Sequence, residues 1–314
     1  MLQRILIPVF ILFFVLINQS SAFEFDWDGS VGQGEHKYIP AISNPLFNET
    51  PYITTEVRPI FLHQGIPSTN VLGLLGGEVT VIAAEARLAL TDNLGIIATK
   101  DGYAWIDFDS ATNAAGIRDE KGFANLSFGL KYAIWNNIED QSIVTVGLEY
   151  EPPSGSLELD LVPVASTLLG TSTVDLNEGG DGFINPFVTA AKRYDKIGIQ
   201  GSAGANIAID GDHDSSLIHY SLHIDYEFTE SLYPMLEFNG FTIYDQGNRT
   251  PFSFDGVDLV NLGAGTDEGT VLTLAGGLRI RATDHVLFGA AIEKSIARED
   301  LLDWRGYLDM IVHF

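Results

Sequence analysis

Between His219 and Phe228 the side chains alternate without a break: His219, Ser221, His223, Asp225 and Glu227 take the odd positions, and Tyr220, Leu222, Ile224, Tyr226 and Phe228 the even ones. A helix would scatter both sets around its circumference, whereas an extended strand places one set on each face. The stretch therefore reads as a strand with one polar and one apolar face. The same period returns where Leu126, Phe128, Leu130, Tyr132 and Ile134 interleave with Asn125, Ser127, Gly129, Lys131 and Ala133. It returns again around Ile82 to Leu90, Val144 to Tyr150 and Leu272 to Arg281. Each stretch runs for roughly ten residues, the length a tilted strand needs to cross a bilayer.

Short polar turns separate these stretches at Thr91-Asp92-Asn93, at 136–141, at Asp195-Lys196, at Thr229-Glu230-Ser231 and at Thr283-Asp284-His285. Mostly longer links, 65–75, 109–122, 152–181, 210–214, 246–268 and a short one at 297–301, alternate with them. Membrane barrels show this asymmetry, with short periplasmic turns and longer outer loops. The expected fold is all-β, a closed antiparallel transmembrane β-barrel of about 12 strands, an even number that returns both ends to one side. The strand ranges are 54–64, 76–90, 94–108, 123–135, 142–151, 182–194, 196–209, 215–228, 231–245, 269–282, 285–296 and 303–314. Lys100 and Asp101 break the alternation, and either a β-bulge by Gly102 turns both charges inward or they sit at the rim.

The first residues set the expected route. Arg4 gives a positive start, Ile5 to Ile17 an apolar core, and Ser20-Ser21-Ala22 small residues for cleavage. Residues 1–22 thus read as a cleavable signal peptide. Residues 23–53, rich in Gly, Pro, Asn and Phe, show no alternation; they either plug the barrel or hang in the periplasm, and an extended tail makes the lesser topological demand. Residues 54–314 form the barrel. The chain has no cysteine, which excludes disulfides, thiolate metal sites and a lipid-anchored N-terminal Cys. Its net charge of -25 excludes a phosphate-binding surface and hence nucleic acid as a partner.

At the other end, Leu308, Met310, Val312 and Phe314 are apolar at alternate positions, while Arg305, Tyr307, Asp309 and His313 take the other face. This resembles the terminal recognition strand of outer-membrane proteins, which implies Gram-negative outer-membrane localisation and engagement of the barrel-assembly machinery. A narrower resemblance rests on Asn44-Pro45-Leu46-Phe47-Asn48-Glu49-Thr50-Pro51, Thr54-Thr55-Glu56-Val57-Arg58-Pro59, Glu85 to Asn93 and Lys100-Asp101-Gly102-Tyr103. These stretches are similar to outer-membrane barrels grouped with the meta-pathway phenol-degradation (MetA-like) transporter family. The resemblance implies a transport barrel and carries no substrate with it.

The inward faces hold the candidate site. Glu85, Arg87, Lys131, Glu149, His223, Asp225, Glu227, Glu237, Arg279, Arg281, Arg305 and Asp309 all fall on them, as do Glu56 and Arg58. Isolated charges are costly to bury, so these groups either pair or face water. Two outcomes stand open: a charged constriction that selects what passes, or a salt-bridged interior that is nearly closed. Arg279 and Arg281 point the same way and either grip an anionic group or neutralise acids such as Glu237 and Glu293. His219 and Ser221 share a face, as the histidine and serine of a hydrolase would, but spacing alone supplies neither an aligned base nor an oxyanion site. Asp210-Gly211-Asp212-His213-Asp214 starts like a calcium loop yet lacks its later Gly and Glu, so a solvated acidic turn is expected.

No cofactor motif or metal spacing is found. The favoured function is passive, non-enzymatic passage of a small solute, in the manner of a porin. The alternative is a non-conducting structural or adhesion barrel acting through its outer loops, and less favoured still is an outer-membrane lipid hydrolase. Expected partners are outer-membrane lipids and lipopolysaccharide.

Overall fold

The computed structural model describes residues 27–34, 36–70, 75–163, 166–167, 172–176, 180–250, 256–264, 269–297 and 302–314. The expected signal peptide lies outside them. Large apolar side chains cover the outside, while most wall charges turn inside alongside apolar clusters, the arrangement a lipid-facing barrel requires. Along β11 (Ser216–Tyr226), Ile218, Leu222, Ile224 and Tyr226 are exposed while His219, Ser221, His223 and Asp225 are buried. The expected alternation is thus observed residue by residue.

Twelve strands close into one antiparallel ring. They are β1 (Glu56–Asn70), β2 (Leu75–Ala89), β3 (Leu94–Phe108), β5 (Phe128–Asn137), β6 (Ser142–Glu151), β9 (Phe183–Tyr194), β10 (Ile197–Ala208), β11, β12 (Leu232–Asp245), β13 (Gly269–Thr283), β14 (Val286–Ala297) and β15 (Trp304–His313). Pairing of β1 with β15, from Glu56 opposite His313 to Gln64 opposite Arg305, closes the ring of twelve, which then has no edge strand of its own. β3 and β6 coincide with the ranges read from sequence. The expected strand 123–135 is instead two pieces, β4 (Glu120–Phe123) and β5, both paired with β3. Across the gap Ala124 and Ser127 keep backbone bonds to Gly102 and Thr99, while on the other side Asn125 Oδ1 accepts from the amides of Ser154 and Gly155, and Ser154 Oγ accepts from the amide of Leu126.

The bulge is real. Ala84 faces Asp101, yet Ala86 faces Ala98, so β3 carries one extra residue against β2. Inward positions are odd before the bulge (Ile97, Thr99) and even after it (Ala104, Ile106). Thr99 and Lys100 both turn into the lumen, where Lys100 Nζ bonds Glu151 at 2.5 Å. The side chain of Asp101 lies outside the description.

Three of the short turns share one device. Thr91, Thr229 and Thr283 each accept, through the hydroxyl, the amide two residues on: Asn93 at 3.2 Å, Ser231 at 3.3 Å and His285 at 3.2 Å. Hydroxyl-to-backbone bonds of this kind hold a turn locally. Asp195, with φ 49°, occupies the left-handed region that Asp tolerates. At the 138–141 turn Lys192 bonds the exposed Asp140, and that hydrogen bond lowers the pKa of the Asp140 carboxyl.

At the opposite, long-loop end the connections are structured. α1 (Ser110–Ala115) starts at Asp109, whose carboxylate accepts the Thr112 amide, and ends at Gly116 with φ 99°. β7 (Glu158–Asp160) and β8 (Thr173–Asp175) form a small hairpin. Its Leu159 and Val174, with Leu157, Leu161 and Leu176, pack on Val79, Ala104 and Ile106 of the wall, and Leu262 joins them from the 246–268 link. This apolar cap sits over the lumen. The acidic turn 210–214 is hydrogen-bonded within itself, with His213 Nδ1 3.0 Å from Asp210. Among the described residues no group of side chains has the arrangement of a metal site.

Candidate functional site: the filled lumen

Residues 36–55 lie inside the barrel. Trp27 is tied to the start of β1 by its carbonyl, which accepts from Thr55 Oγ1 at 2.6 Å, and the short 3-10 helix Gly29–Gly34 follows. The chain climbs from the short-turn mouth, turns back at Asn44–Asn48 and descends into β1. Asn44, at φ 51°, makes the reversal, and its carbonyl accepts from the amides of Phe47 and Asn48. Of the two placements left open for residues 23–53, the described stretch 36–55 takes the one inside the barrel. A segment with three prolines (Pro40, Pro45 and Pro51) and no strand period cannot satisfy its own backbone, and the barrel wall does so instead.

The wall's cations serve the plug's carbonyls. Arg279 donates to Pro40 and Ala41 at 2.9 and 3.0 Å, and Arg58 to Ala41 and Ile42 at 3.0 and 3.1 Å. Lys131 donates to Thr50 and Tyr52 at 3.1 and 2.6 Å, and Arg281 to Tyr38 at 3.3 Å. The plug's amides go to an acid: Ile42 and Ser43 donate to the two oxygens of Glu237 at 2.8 and 2.7 Å. His223 Nδ1 approaches the same carboxylate at 2.8 Å.

Charge is balanced around these bonds. Asp309 takes Arg279 through both oxygens and Arg58 at 2.6 Å. Arg87 spans Glu49, Glu56 and Glu85 at 2.5, 2.9 and 2.9 Å, and Lys131 meets Glu49 at 2.7 Å. Glu49 is the plug's own carboxylate, buried between those two cations. Lys37 bonds Glu227 and Arg193 bonds Asp225 near the short-turn mouth. Further in, Arg305 holds Asp258 of the 256–264 stretch at 2.6 and 3.0 Å, and Glu293 takes Asn239 at 2.9 Å and Tyr307 at 2.5 Å. Glu149 takes Thr99 and Asn185 at 2.5 and 2.8 Å. Glycines make room for the pairs: a Cβ at Gly198 would stand 2.0 Å from the Asp225 carboxylate, and one at Gly289 2.2 Å from that of Asp309.

The structure thus places Glu85, Arg87, Lys131, Glu149, His223, Asp225, Glu237, Arg279, Arg305 and Asp309 in the buried interior, with Glu227 and Arg281 half-buried toward the mouth. For Arg279 the acid partner differs from those expected from the sequence. Arg279 neutralises Asp309, not Glu237 or Glu293, because β13 and β15 flank β14 and their inward side chains meet over Gly289. Glu49, Asn44 and Asp258 were missed altogether; their segments have no period from which a facing could be read. Leu308 and Phe314 are exposed, with Met310 and Val312 half-exposed.

His219 and Ser221 do not meet as a catalytic pair would. His219 Nε2 bonds Asn185 at 2.8 Å and its ring stacks on Phe47 at 4.5 Å, while Ser221 accepts from Asn44 at 3.3 Å. Space inside is scant: cavities beside Phe47 and beside Gln200 hold about 10 Å³ each, room for roughly one water. A vestibule of about 1090 Å³ opens at the short-turn mouth below Tyr38, bordered by Arg193, Arg281 and Phe314.

No protein-family profile matches the sequence, and no curated protein sequence does either. Solved structures do match. The transport unit of the autotransporter AIDA-I from Escherichia coli aligns at 9% identity and TM-score 0.51, covering 90% of this chain and 95% of that one. The β domain of the Bordetella autotransporter BrkA aligns at 11% identity and TM-score 0.50, covering 83% of this chain and 99% of that one. At such identities the likeness speaks for the fold, and the narrower phenol-degradation resemblance finds no family match. The chain has the fold of an outer-membrane β-barrel.

Proposed function

We propose that this protein passes a small solute passively across the outer membrane, and that the structure is its closed state with residues 36–55 as the gate. The observation that carries the reading is the wall behind the plug. Arg193, Asp225, Glu237, Arg279, Glu293 and Arg305 make it polar over most of its height. A barrel that only scaffolds its loops has no need of charges that must be paired at such cost. Withdrawing the plug would leave these groups facing water, as in a conducting lumen. The short-turn mouth is then periplasmic, and no covalent chemistry is involved.

A second reading is favoured by the water-sized cavities: a barrel that never opens and works through its outer loops. Single-channel conductance of the refolded protein, with and without residues 23–53, decides between them. Brief or rare openings of the longer form and a steady conductance of the shorter are expected. Silence from both, in protein shown to be folded, overturns the passage reading.

A further inference from the structure

We propose that the gate is released from the outside: residues 256–264 and the plug are fastened to the same patch of wall, so lifting the outer stretch loosens the plug. This rests on the plug being the gate, as argued above, and adds what triggers it.

Two independent threads join the segments, although they enter from opposite ends. The first is apolar. Phe47 at the plug's turn and Val257 of the outer stretch belong to one buried cluster with Leu217, Phe241, Ile243 and Val271 of the wall. The second is polar. Asp258 binds Arg305 through both oxygens, and Arg305 Nη1 also donates to Tyr307 Oη at 3.0 Å. That phenol oxygen accepts the amide of Asn44, at the plug's turn, at 3.3 Å and donates to Glu293 at 2.5 Å. Glu293 in turn accepts from Asn239, whose amide also reaches Ser43 Oγ at 3.0 Å.

The direction of the coupling follows from charge. Arg305 is buried and cannot shed its proton. If Asp258 leaves, the guanidinium must find another anion, and Glu293 stands 3.6 Å away. Turning to it competes with the bonds that Glu293 makes to Tyr307 and Asn239, which are the bonds that position Asn44 and Ser43. Departure of Val257 meanwhile leaves Phe47 with an open side. The outer stretch has its own tether, Asn261, whose side chain accepts from the Ser215 amide at 3.0 Å and donates to its carbonyl at 2.8 Å. Asn261 thus ties the stretch to the start of β11 independently of Asp258 and Val257.

The test uses the absence of native cysteine. Thr50→Cys places a single thiol in the buried plug, and its reaction with a water-soluble maleimide reports exposure in the folded, full-length barrel. Asp258→Asn and Val257→Ser each cut one thread without touching a plug hydrogen bond. Each is expected to speed labelling by at least tenfold, and the pair by more than either. Should one variant fail to fold, the other still tests its own thread. An unchanged rate at Thr50→Cys, in variants whose Leu262→Cys derivative labels faster and so proves that the outer stretch moved, overturns the coupling. Conductance separates the two ideas. Faster labelling with a silent barrel keeps the coupling and defeats solute passage, whereas unchanged labelling with an open plug-deleted barrel does the reverse.

Discussion

The plug and the cap both fill the lumen, yet what holds them differs in kind. Residues 36–55 pack some apolar side chains against the wall, such as Ile42 beside Tyr233 and Tyr307, but their backbone is held by charged groups. The cap of β7, β8 and residues 259–264 is joined to the wall mainly by leucine and valine. Burial of apolar surface is non-directional and tolerates adjustment. A buried network of ions and amides is satisfied in one geometry and is costly when a member is lost. The comparison suggests a cap that can repack and a plug that is either docked or out.

The largest predicted effect is Arg87→Ala, which strands Glu49, Glu56 and Glu85 without their shared cation. A loss of about 3–5 kcal/mol is expected, read as a lower denaturant midpoint of the refolded barrel together with faster labelling at Thr50→Cys. A midpoint like that of the unaltered protein would erase the distinction drawn above. Next comes Leu159→Ala in the cap. Its cost should lie near the bottom of the usual core range, about 2 kcal/mol, because the small hairpin can settle into the space. Faster amide exchange in 157–176 with no change at Thr50→Cys would sharpen the contrast; plug exposure would break it.

Smaller still is Thr229→Ala, which removes one turn hydrogen bond at the short-turn end. About 0.5–1 kcal/mol should be lost, with neither plug nor cap affected by exchange or labelling. The smallest effect concerns an exposed ion pair, a foil to the buried ones. In Lys192→Ala the Asp140 carboxyl should return up to the ordinary carboxylate range, as followed by NMR titration. Because its folded pKa is depressed, whatever the pair contributes is present above the ordinary range and fades as pH falls through the lowered value. The midpoint at neutral pH should not move.

Period two told much about this molecule, for a physical reason. Lipid outside and polar groups inside force every spanning strand to alternate, so β3, β6 and the facing of Lys131 or Asp225 could be read directly. The break in alternation at Lys100–Asp101 flagged a bulge or a rim position, but not that the bulge lies at Thr99–Lys100, before Gly102. Pairing was not legible, because Arg279 and Asp309 meet across an intervening strand and only register brings them together. Which of its two placements residues 36–55 take, and where they dock, could not be read for the opposite reason. Asn44-Pro45-Leu46-Phe47-Asn48-Glu49 has no period, and its place is fixed by partners nearly two hundred residues away, as in the Ser43–Glu237 contact at a separation of 194.

One further consequence lies in the route of residues 36–55, which enter and leave through the same mouth. Topologically the segment is a hook and not a thread: among the described residues none runs from one end of the ring to the other through its centre. The ring can therefore close before the hook is seated, and the hook can be drawn out afterwards with every rung of the β1–β15 seam intact. Assembly and opening become separable events, and neither requires the wall to part.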